Sequence, residues 1–184
     1  MIEIHGKREC PFAWRVRLCA KEKNLPFHWI PFDVRDPDPA SAQHNPEKHS
    51  PLLWDDGFSL TESEVILHYL DEAHPGSHLQ PLSARDRAQM LLRMVQLRKL
   101  EAHPPEYPGN PKKLEAGFDS LEKALRDGRL LLGGSKPDLS DIAVWPFLWV
   151  LTHAGIQPPG AHTKMYWNRI RERDSLVATR PTDR

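Results

Sequence analysis

The sequence predicts a small α/β domain followed by an all-α domain. Three observations predict this fold class. The chain opens with short apolar stretches on either side of a helix-forming stretch, and two further apolar stretches flank an Asp-Gly turn. Beyond residue 82, apolar residues recur at helical spacing and no strand pattern separates them. We therefore expect residues 1–76 and residues 82–184 to form two domains.

The first three elements follow a β-α-β order. Met1 to His5 and Phe27 to Phe32 are short and apolar and predict strands, and Pro11 to Asn24 has apolar residues on one side and predicts a helix. A strand so soon after a helix favours a parallel crossover. The polar, proline-broken stretch from Asp33 to Ser50 is expected to be a loop, with at most a short helix near Ala40–His44.

A hairpin and a helix complete the first domain. The runs Pro51–Trp54 and Phe58–Leu60 surround the Asp-Gly turn, which predicts two antiparallel strands. Thr61 and Glu64 have the spacing of a capping box, with Thr at the N-cap and Glu at N3. The helix is expected to end at His74, where Pro and Gly follow.

The second domain is predicted to contain four helices and no strand. Asp138 and Asp141 have the spacing of a second capping box, ahead of the apolar run Ile142–Leu151. These two carboxylates are therefore expected to stabilise a buried helix rather than to take part in chemistry. The predicted helices are Ser83–Ala102, Lys112–Asp127, Asp138–His153 and Ala161–Arg173.

The composition argues against polyanion and membrane partners. The 184 residues include 25 basic and 25 acidic residues, so no net field attracts the chain to nucleic acid or anionic lipid. The longest apolar run has ten residues, whereas a membrane-spanning helix needs about 20, and no signal-peptide pattern opens the sequence. A soluble, cytoplasmic protein is expected.

No metal or nucleotide site is predicted. The ten histidines are dispersed, and no Cys/His cluster has the spacing of metal ligands. The glycine-rich nucleotide motifs and the GxSxG motif of serine hydrolases are absent from the sequence. The two cysteines, Cys10 and Cys19, lie on opposite sides of one predicted helix and are not expected to pair.

Cys10 is the main candidate for chemistry. It lies where the first strand leads into the first helix, so its sulfur would meet the backbone N–H groups of a helix N-terminus, and Pro11 suits the first helical position. This placement favours the thiolate, which is the nucleophilic form. From the motif alone, a structural cysteine at a strand end is the alternative. Cys19, on the inward side of the helix, is interpreted as a packing residue.

Two further places suit a peptide ligand. A cis bond between Ser50 and Pro51 would leave the Ser50 backbone groups free for an extended peptide, and an ordinary trans proline is the alternative. Glu62 and Ser63 lie in the first turn of a helix, where N–H groups and a hydroxyl suit a carboxylate and Glu62 suits an ammonium group. The alternative is helix capping alone, which leaves Ser63 free.

In this order, the motifs resemble those of a cytosolic glutathione transferase over nearly the whole chain. Cys10-Pro11-Phe12-Ala13 followed by Arg15-Val16-Arg17-Leu18 resembles the omega-like, cysteine-type branch. Asn45-Pro46 ahead of Pro51, and then Leu60-Thr61-Glu62-Ser63, resembles the family's glutathione-site signature. The resemblance implies a thioredoxin-like first domain, a helical second domain of the glutathione-transferase type and a homodimer.

The resemblance also implies the chemistry of the site. Cys10 would face the glutathione sulfur, the Ser50 backbone would pair with the cysteinyl unit, and Glu62 and Ser63 would hold the γ-glutamyl end. The other glutathione-binding residues implied are Phe12, His49 and Pro51. The expected activity is thiol transfer or reduction with glutathione as co-substrate, Cys10 as nucleophile, and a small, protein-disulfide or electrophilic acceptor.

Two departures from the family pattern bear on function. His49 and Ser50 stand where relatives often carry Lys and Val, and Ala13 replaces the second cysteine of a glutaredoxin-like CxxC motif. Glutathione itself must therefore resolve any mixed disulfide. The alternative function is a non-catalytic module of the same fold used for protein contacts, as in stringent-starvation-type regulators, and His49 and Ser50 favour it.

Overall fold

The computed structural model describes residues 1–32, 43–101 and 110–181. They divide into two units, of which the first contains Met1–His78 and the described chain end from Thr179, and the second contains Leu79–Ala178. Most of the predicted loop from Asp33, including Ala40, lies outside the described residues. Within the described ranges, no helix has the length and apolar character needed to cross a membrane.

A mixed four-stranded sheet organises the first unit. The strands are β1 (Ile2–Lys7), β2 (Phe27–Phe32), β3 (Leu52–Asp55) and β4 (Phe58–Leu60). Their order is β2-β1-β3-β4, with β1 parallel to β2 and antiparallel to β3. The predicted crossover and hairpin are therefore confirmed.

Two helices of the first unit, α1 (Pro11–Glu22) and α2 (Ser63–Ala73), contact each other, and α1 contacts β1. A Cβ at Gly6 would lie 2.5 Å from the Ala13 Cβ, so only glycine allows this approach of strand and helix. The helix α1 ends before Asn24, contrary to prediction, because Asn24 has a left-handed φ of 56°. The buried apolar core includes Ile4, Trp14, Val16, Leu18, Leu53, Ile66, Leu67 and Leu70.

The start of α2 differs from the predicted capping box. Glu62, not Thr61, precedes the helix, with φ 63° and ψ 102°, and its side chain makes no capping hydrogen bond. A carboxylate oxygen of Glu64 lies 3.9 Å from Arg15 Nη1. The prediction is wrong because the left-handed turn at Glu62 starts the helix one residue later and Glu64 lies beside a cation instead of capping the helix.

The second unit is helical, as predicted, although its helices are up to a few residues shorter than expected. A short 3₁₀ turn, Arg98–Leu100, continues the first of them, and the predicted end at Ala102 lies outside the described residues. The sequence analysis does not predict the last helix, α7. The helices are α3 (Ala84–Leu97), α4 (Pro111–Ala124), α5 (Leu139–His153), α6 (Ala161–Ile170) and α7 (Asp174–Thr179).

The predicted capping box at the start of α5 is confirmed, with Asp138 at the N-cap and Asp141 at N3. The Asp141 carboxylate also accepts hydrogen bonds from the Leu132 and Gly133 N–H groups, both at 2.9 Å, and from the Tyr166 hydroxyl at 2.6 Å. Burial, and then the charge of Asp138, raise the pKa of Asp141 to about 6. Asp141 thus joins the helix start to a preceding turn and to α6.

Candidate functional site

Cys10 occupies the N-cap of α1, as the sequence predicts. The turn from β1 into the helix is closed by a hydrogen bond from the Cys10 N–H to the Lys7 carbonyl at 3.1 Å, and Pro11 takes the first helical position. The Cys10 side chain makes no capping hydrogen bond to this helix, and its half-buried sulfur lies at the positive helix end. Helix N-termini favour anions, and a thiolate is the anion that Cys10 can supply.

Cys19 is buried inside the same helix. Both cysteines are free, so the expectation that they do not pair is confirmed. Burial raises the pKa of the Cys19 thiol, with the charge of Asp71 acting in the same direction. Cys19 is therefore unsuited to react as a thiolate.

Ser50 lies directly beside Cys10. The bond between Ser50 and Pro51 is cis, as predicted. The Cys10 thiol donates to the Ser50 carbonyl oxygen at 3.6 Å, and the Lys7 N–H donates to the Ser50 hydroxyl at 2.8 Å. The Ser50 carbonyl thus already accepts one hydrogen bond, from the thiol that the sequence predicts as the nucleophile.

His49 is held by its backbone and leaves its ring exposed. The Asn45 side chain accepts from the His49 N–H and donates to the His49 carbonyl, both at 2.8 Å, which fixes the loop ahead of Ser50. Asn45 itself is buried. The His49 ring lies against Glu47, with Nε2 2.7 Å from a carboxylate oxygen. The ring is therefore directed to a surface ion pair rather than to Cys10.

Ser63 is buried at the start of α2, next to the exposed Glu62. Its hydroxyl accepts a hydrogen bond from Arg15 Nε at 2.8 Å, so the interpretation that Ser63 is left free is wrong. The hydroxyl keeps its own proton, which it can donate to a carboxylate, with the Arg15 charge behind it. The Arg15 guanidinium also lies 5.0 Å from the centre of the half-buried Phe12 ring. The sequence pattern alone assigns no role to Arg15.

Arg17 is the second residue whose role sequence reasoning missed. Its guanidinium is buried over the Trp29 ring at 4.3 Å, and its Nε–H has no acceptor among the described residues. Burial lowers the pKa of Arg17 to about 10, and the nearby Cys10 acts in the opposite direction. A helical side chain points back towards the N-terminus, so the spacing of Cys10, Ala13 and Arg17 on one face was an available signal.

Comparisons with known proteins match this architecture. The family model described as "Glutathione S-transferase, N-terminal domain" matches residues 4–78, and that described as "Glutathione S-transferase, C-terminal domain" matches residues 104–175. Glutathione S-transferase omega-1 of Mus musculus is 25% identical over 99% of this chain and 81% of its own length. The stringent starvation protein A homolog of Coxiella burnetii is 30% identical over 91% of this chain and 86% of its own length.

Solved structures support the fold. Glutathione transferase Omega 3C from Trametes versicolor aligns over 100% of this chain and 90% of its own, with a TM-score of 0.76 and 18% identity. At this identity the likeness concerns the fold alone. The predicted fold class, a thioredoxin-like domain with a helical domain of this type, is confirmed.

Proposed function

Because the chain belongs to the glutathione S-transferase family of enzymes, with omega-class proteins among its relatives, we propose that it is a cysteine-type, glutathione-dependent thiol transferase. The observation that carries this proposal is the position of Cys10 at the N-cap of α1, 3.6 Å from the Ser50 carbonyl. A hydroxyl at this position could only stabilise the glutathione thiolate. A cysteine can itself form and release a disulfide.

The proposed reaction has two exchange steps. The Cys10 thiolate attacks the glutathione sulfur of a mixed disulfide, so a Cys10–glutathione disulfide forms and the acceptor leaves as a thiolate that takes up a proton. The thiolate of a second glutathione then attacks this disulfide, which releases oxidised glutathione and regenerates the Cys10 thiolate. Ala13 offers no internal thiol for the second step, so glutathione performs it.

Glutathione is proposed to bind between the loop that precedes β3, which contains Ser50, and the start of α2, which contains Glu62 and Ser63. The Ser50 carbonyl, now in contact with the thiol, would accept the cysteinyl N–H, as extended peptides pair with a free backbone edge. Ser63, backed by Arg15, would donate to the γ-glutamyl carboxylate, and the exposed Glu62 would pair with the ammonium group. The other residues proposed to line the glutathione site are Phe12, His49 and Pro51.

Arg17 is proposed to favour the thiolate of Cys10. Burial of a guanidinium is costly, the Arg17 Nε–H has no acceptor among the described residues, and an anion at Cys10 would compensate the charge. The stacking of Arg17 on Trp29 fixes the guanidinium on the face of α1 that also carries Cys10. Arg17 would thus be a positioning residue that acts through the nucleophile.

The protein is proposed to form a homodimer in the cytoplasm. The helix α3 exposes the apolar side chains Leu91, Leu92 and Val95 on neighbouring positions, which favours a self-association surface and hence a homodimer. Both cysteines are free, and the mechanism needs a reduced Cys10, which favours a reducing compartment such as the cytoplasm.

Turnover of a small glutathione mixed disulfide tests the proposal. Cys10→Ser should lower turnover by roughly a thousandfold or more, because it removes the nucleophile. The matched control is Cys19→Ser, which removes the buried thiol and should leave turnover per folded molecule unchanged. Mass spectrometry should detect a glutathione adduct on Cys10 in the parent protein. Full turnover by Cys10→Ser would contradict the mechanism.

A non-catalytic module is the second candidate. It is favoured by the 30% identity to the stringent starvation protein A homolog and by the His49 ring, which lies against Glu47. Retention on immobilised glutathione, measured together with turnover, separates the two functions. A folded parent protein that turns over no disulfide, whether or not it binds glutathione, would favour the module.

A further inference from the structure

The face of the sheet away from α1 carries three side chains that can bind a metal ion. Glu3 and His5 lie two residues apart on β1 and so point to the same face, opposite to Gly6, which approaches α1. His44 belongs to the short described stretch ahead of β3. The spacing of histidines and cysteines along the sequence does not reveal this group, because Glu3 and His44 are 41 residues apart.

The ligand atoms of these three residues converge. Glu3 Oε2 lies 3.1 Å from His5 Nε2 and 2.8 Å from His44 Nδ1, and all three atoms lie within 4.8 Å of one another. Zn²⁺ binds such ligands at about 2.0–2.2 Å, which separates tetrahedral donor atoms by roughly 3.4 Å. Small rotations of the side chains would reach this spacing.

Neighbouring residues already orient the ligands. The His44 ring stacks on Trp54, with ring centres 4.0 Å apart and an interplanar angle of 6°. Trp54 is paired with Glu3 across the antiparallel strands β1 and β3, which keeps the stacked ring close to the carboxylate. His5 is completely buried. The stacking and strand pairing orient His44 and Glu3, as metal sites require of their ligands, whereas His5 Nδ1 has no hydrogen-bond partner among the described residues and burial holds the ring.

From this geometry we propose that Glu3, His5 and His44 form a Zn²⁺ site with an open fourth position. Two imidazoles and one carboxylate are the ligands of open zinc sites, whereas Mg²⁺ and Ca²⁺ prefer oxygen ligands alone. The Glu3 and His44 side chains are 23% and 22% exposed, which gives an ion and a water molecule access from solvent. The proposal does not depend on the chemistry of Cys10.

An ion here would connect β1 to the loop that leads to Ser50. His44 directly precedes Asn45, whose side chain holds both backbone groups of His49. A metal ion would fix the His44 end of this loop to β1, and the hydrogen bonds of Asn45 already hold the His49 end. The site would be structural or regulatory for the loop, with its fourth position open to water or a small anion.

Equilibrium dialysis of the tag-free full chain against Zn²⁺ tests the site. The parent protein should bind one Zn²⁺ per chain, and Glu3→Gln and His44→Ala should each weaken binding at least about tenfold. The matched control is His49→Ala, which removes an exposed imidazole that lies 2.7 Å from a single carboxylate, that of Glu47. Cys10→Ser controls for binding by the thiol. Both controls should bind Zn²⁺ like the parent.

A second ion, Co²⁺, tests the coordination geometry as well as the binding. Co²⁺ at the site should give the strong visible bands of tetrahedral coordination, and Glu3→Gln should abolish them. Melting curves check that each variant is folded, and Glu3→Gln alone carries the test if His44→Ala does not fold. The proposal is overturned if the parent binds no Zn²⁺, if Glu3→Gln binds it unchanged, or if either control variant loses it.

Discussion

Two helix N-termini in this protein are built in opposite ways. At the start of α5, Asp138 and Asp141 form a reciprocal capping box, and Arg93 Nη2 pairs with Asp138. At the start of α1, Cys10 takes the N-cap position and its side chain makes no capping hydrogen bond. The first arrangement satisfies donors and stabilises the fold. The second leaves the positive helix end to a sulfur atom.

Two buried charged residues near these helix starts, Asp141 and Arg17, also differ in their hydrogen-bond partners. In the second unit, the Asp141 carboxylate is surrounded by donors, including the Tyr166 hydroxyl and the Asp138 N–H. Near Cys10, the buried Arg17 has an Nε–H without an acceptor in the described ranges. A buried donor that its neighbours leave unpaired is a candidate for completion by a ligand or a reactive anion. At the proposed reactive cysteine, an N-cap side chain that makes no capping hydrogen bond coincides with a buried donor that has no acceptor among the described residues.

The largest change in stability is expected from a substitution in the capping box of α5. Asp141→Ala removes the acceptor of several buried donors and should lower the free energy of unfolding by about 3–5 kcal/mol. Urea denaturation measures this change. The alkylation rate of Cys10 in the folded variant should equal that of the parent, because the capping box stabilises and does not react. A loss below about 1 kcal/mol would contradict the importance given to this network.

Arg17→Met tests whether the buried guanidinium increases the reactivity of Cys10. Loss of the buried cation should slow iodoacetamide alkylation of Cys10 by about tenfold, equivalent to about 1.4 kcal/mol, because the cation stabilises the anion that reacts. The charge-conserving variant Arg17→Lys should lie between the two proteins. A folded Arg17→Met with an unchanged alkylation rate would show that Arg17 serves packing on Trp29 alone.

Much of this architecture could be predicted from the sequence because local signals set it. The Asp-Gly hairpin and the Asp138–Asp141 capping box both depend on short motifs, and both are confirmed. The Thr61–Glu64 capping box failed because a backbone turn and the cation of Arg15, distant in sequence, determine where α2 starts. Motif spacing carries no information on such tertiary partners.

The same limit explains what was missed at the sites. Ser63 has the right position for a ligand carboxylate, but its partner Arg15 comes from another helix. The cluster of Glu3, His5 and His44 forms only when the loop ahead of β3 meets the sheet face. Side-chain partners that are far apart in sequence become visible only in the folded chain.

A third helix start lies between the two extremes. Gly160 caps α6 without a side chain, and Glu122 of α4 accepts from the N–H groups of His162 and Thr163 instead. A Cβ at Gly160 would lie 2.0 Å from a Glu122 carboxylate oxygen, so glycine is needed there. Burial acts to raise the pKa of Glu122, but hydrogen bonds from His162 and Thr163 lower it to about 2.

Glu122→Gln should therefore cost about 1 kcal/mol at pH 7, as the loss of an N-cap does. Because the folded-state pKa lies below the usual 4.5, the stability that Glu122 contributes is present above pH 4.5 and is lost as the pH falls towards about 2. Urea titrations of both proteins at pH 7 and pH 3 measure the difference, which should shrink at the lower pH. A difference that grows on acidification would contradict the assignment.

The smallest expected change is a gain in stability. Cys10→Ser replaces a weak sulfur acceptor with a hydroxyl, which is a preferred N-cap group, so it should raise the free energy of unfolding by roughly 0.5–1 kcal/mol. The same substitution removes the proposed nucleophile, so stability should rise while disulfide turnover is lost. Urea denaturation and the turnover assay on one preparation measure both. Cys10→Ala is the control, because it abolishes the nucleophile without supplying a cap and should not stabilise the protein. If Cys10→Ser is less stable than Cys10→Ala, the helix end is already satisfied in the parent, and the contrast between the starts of α1 and α5 does not hold.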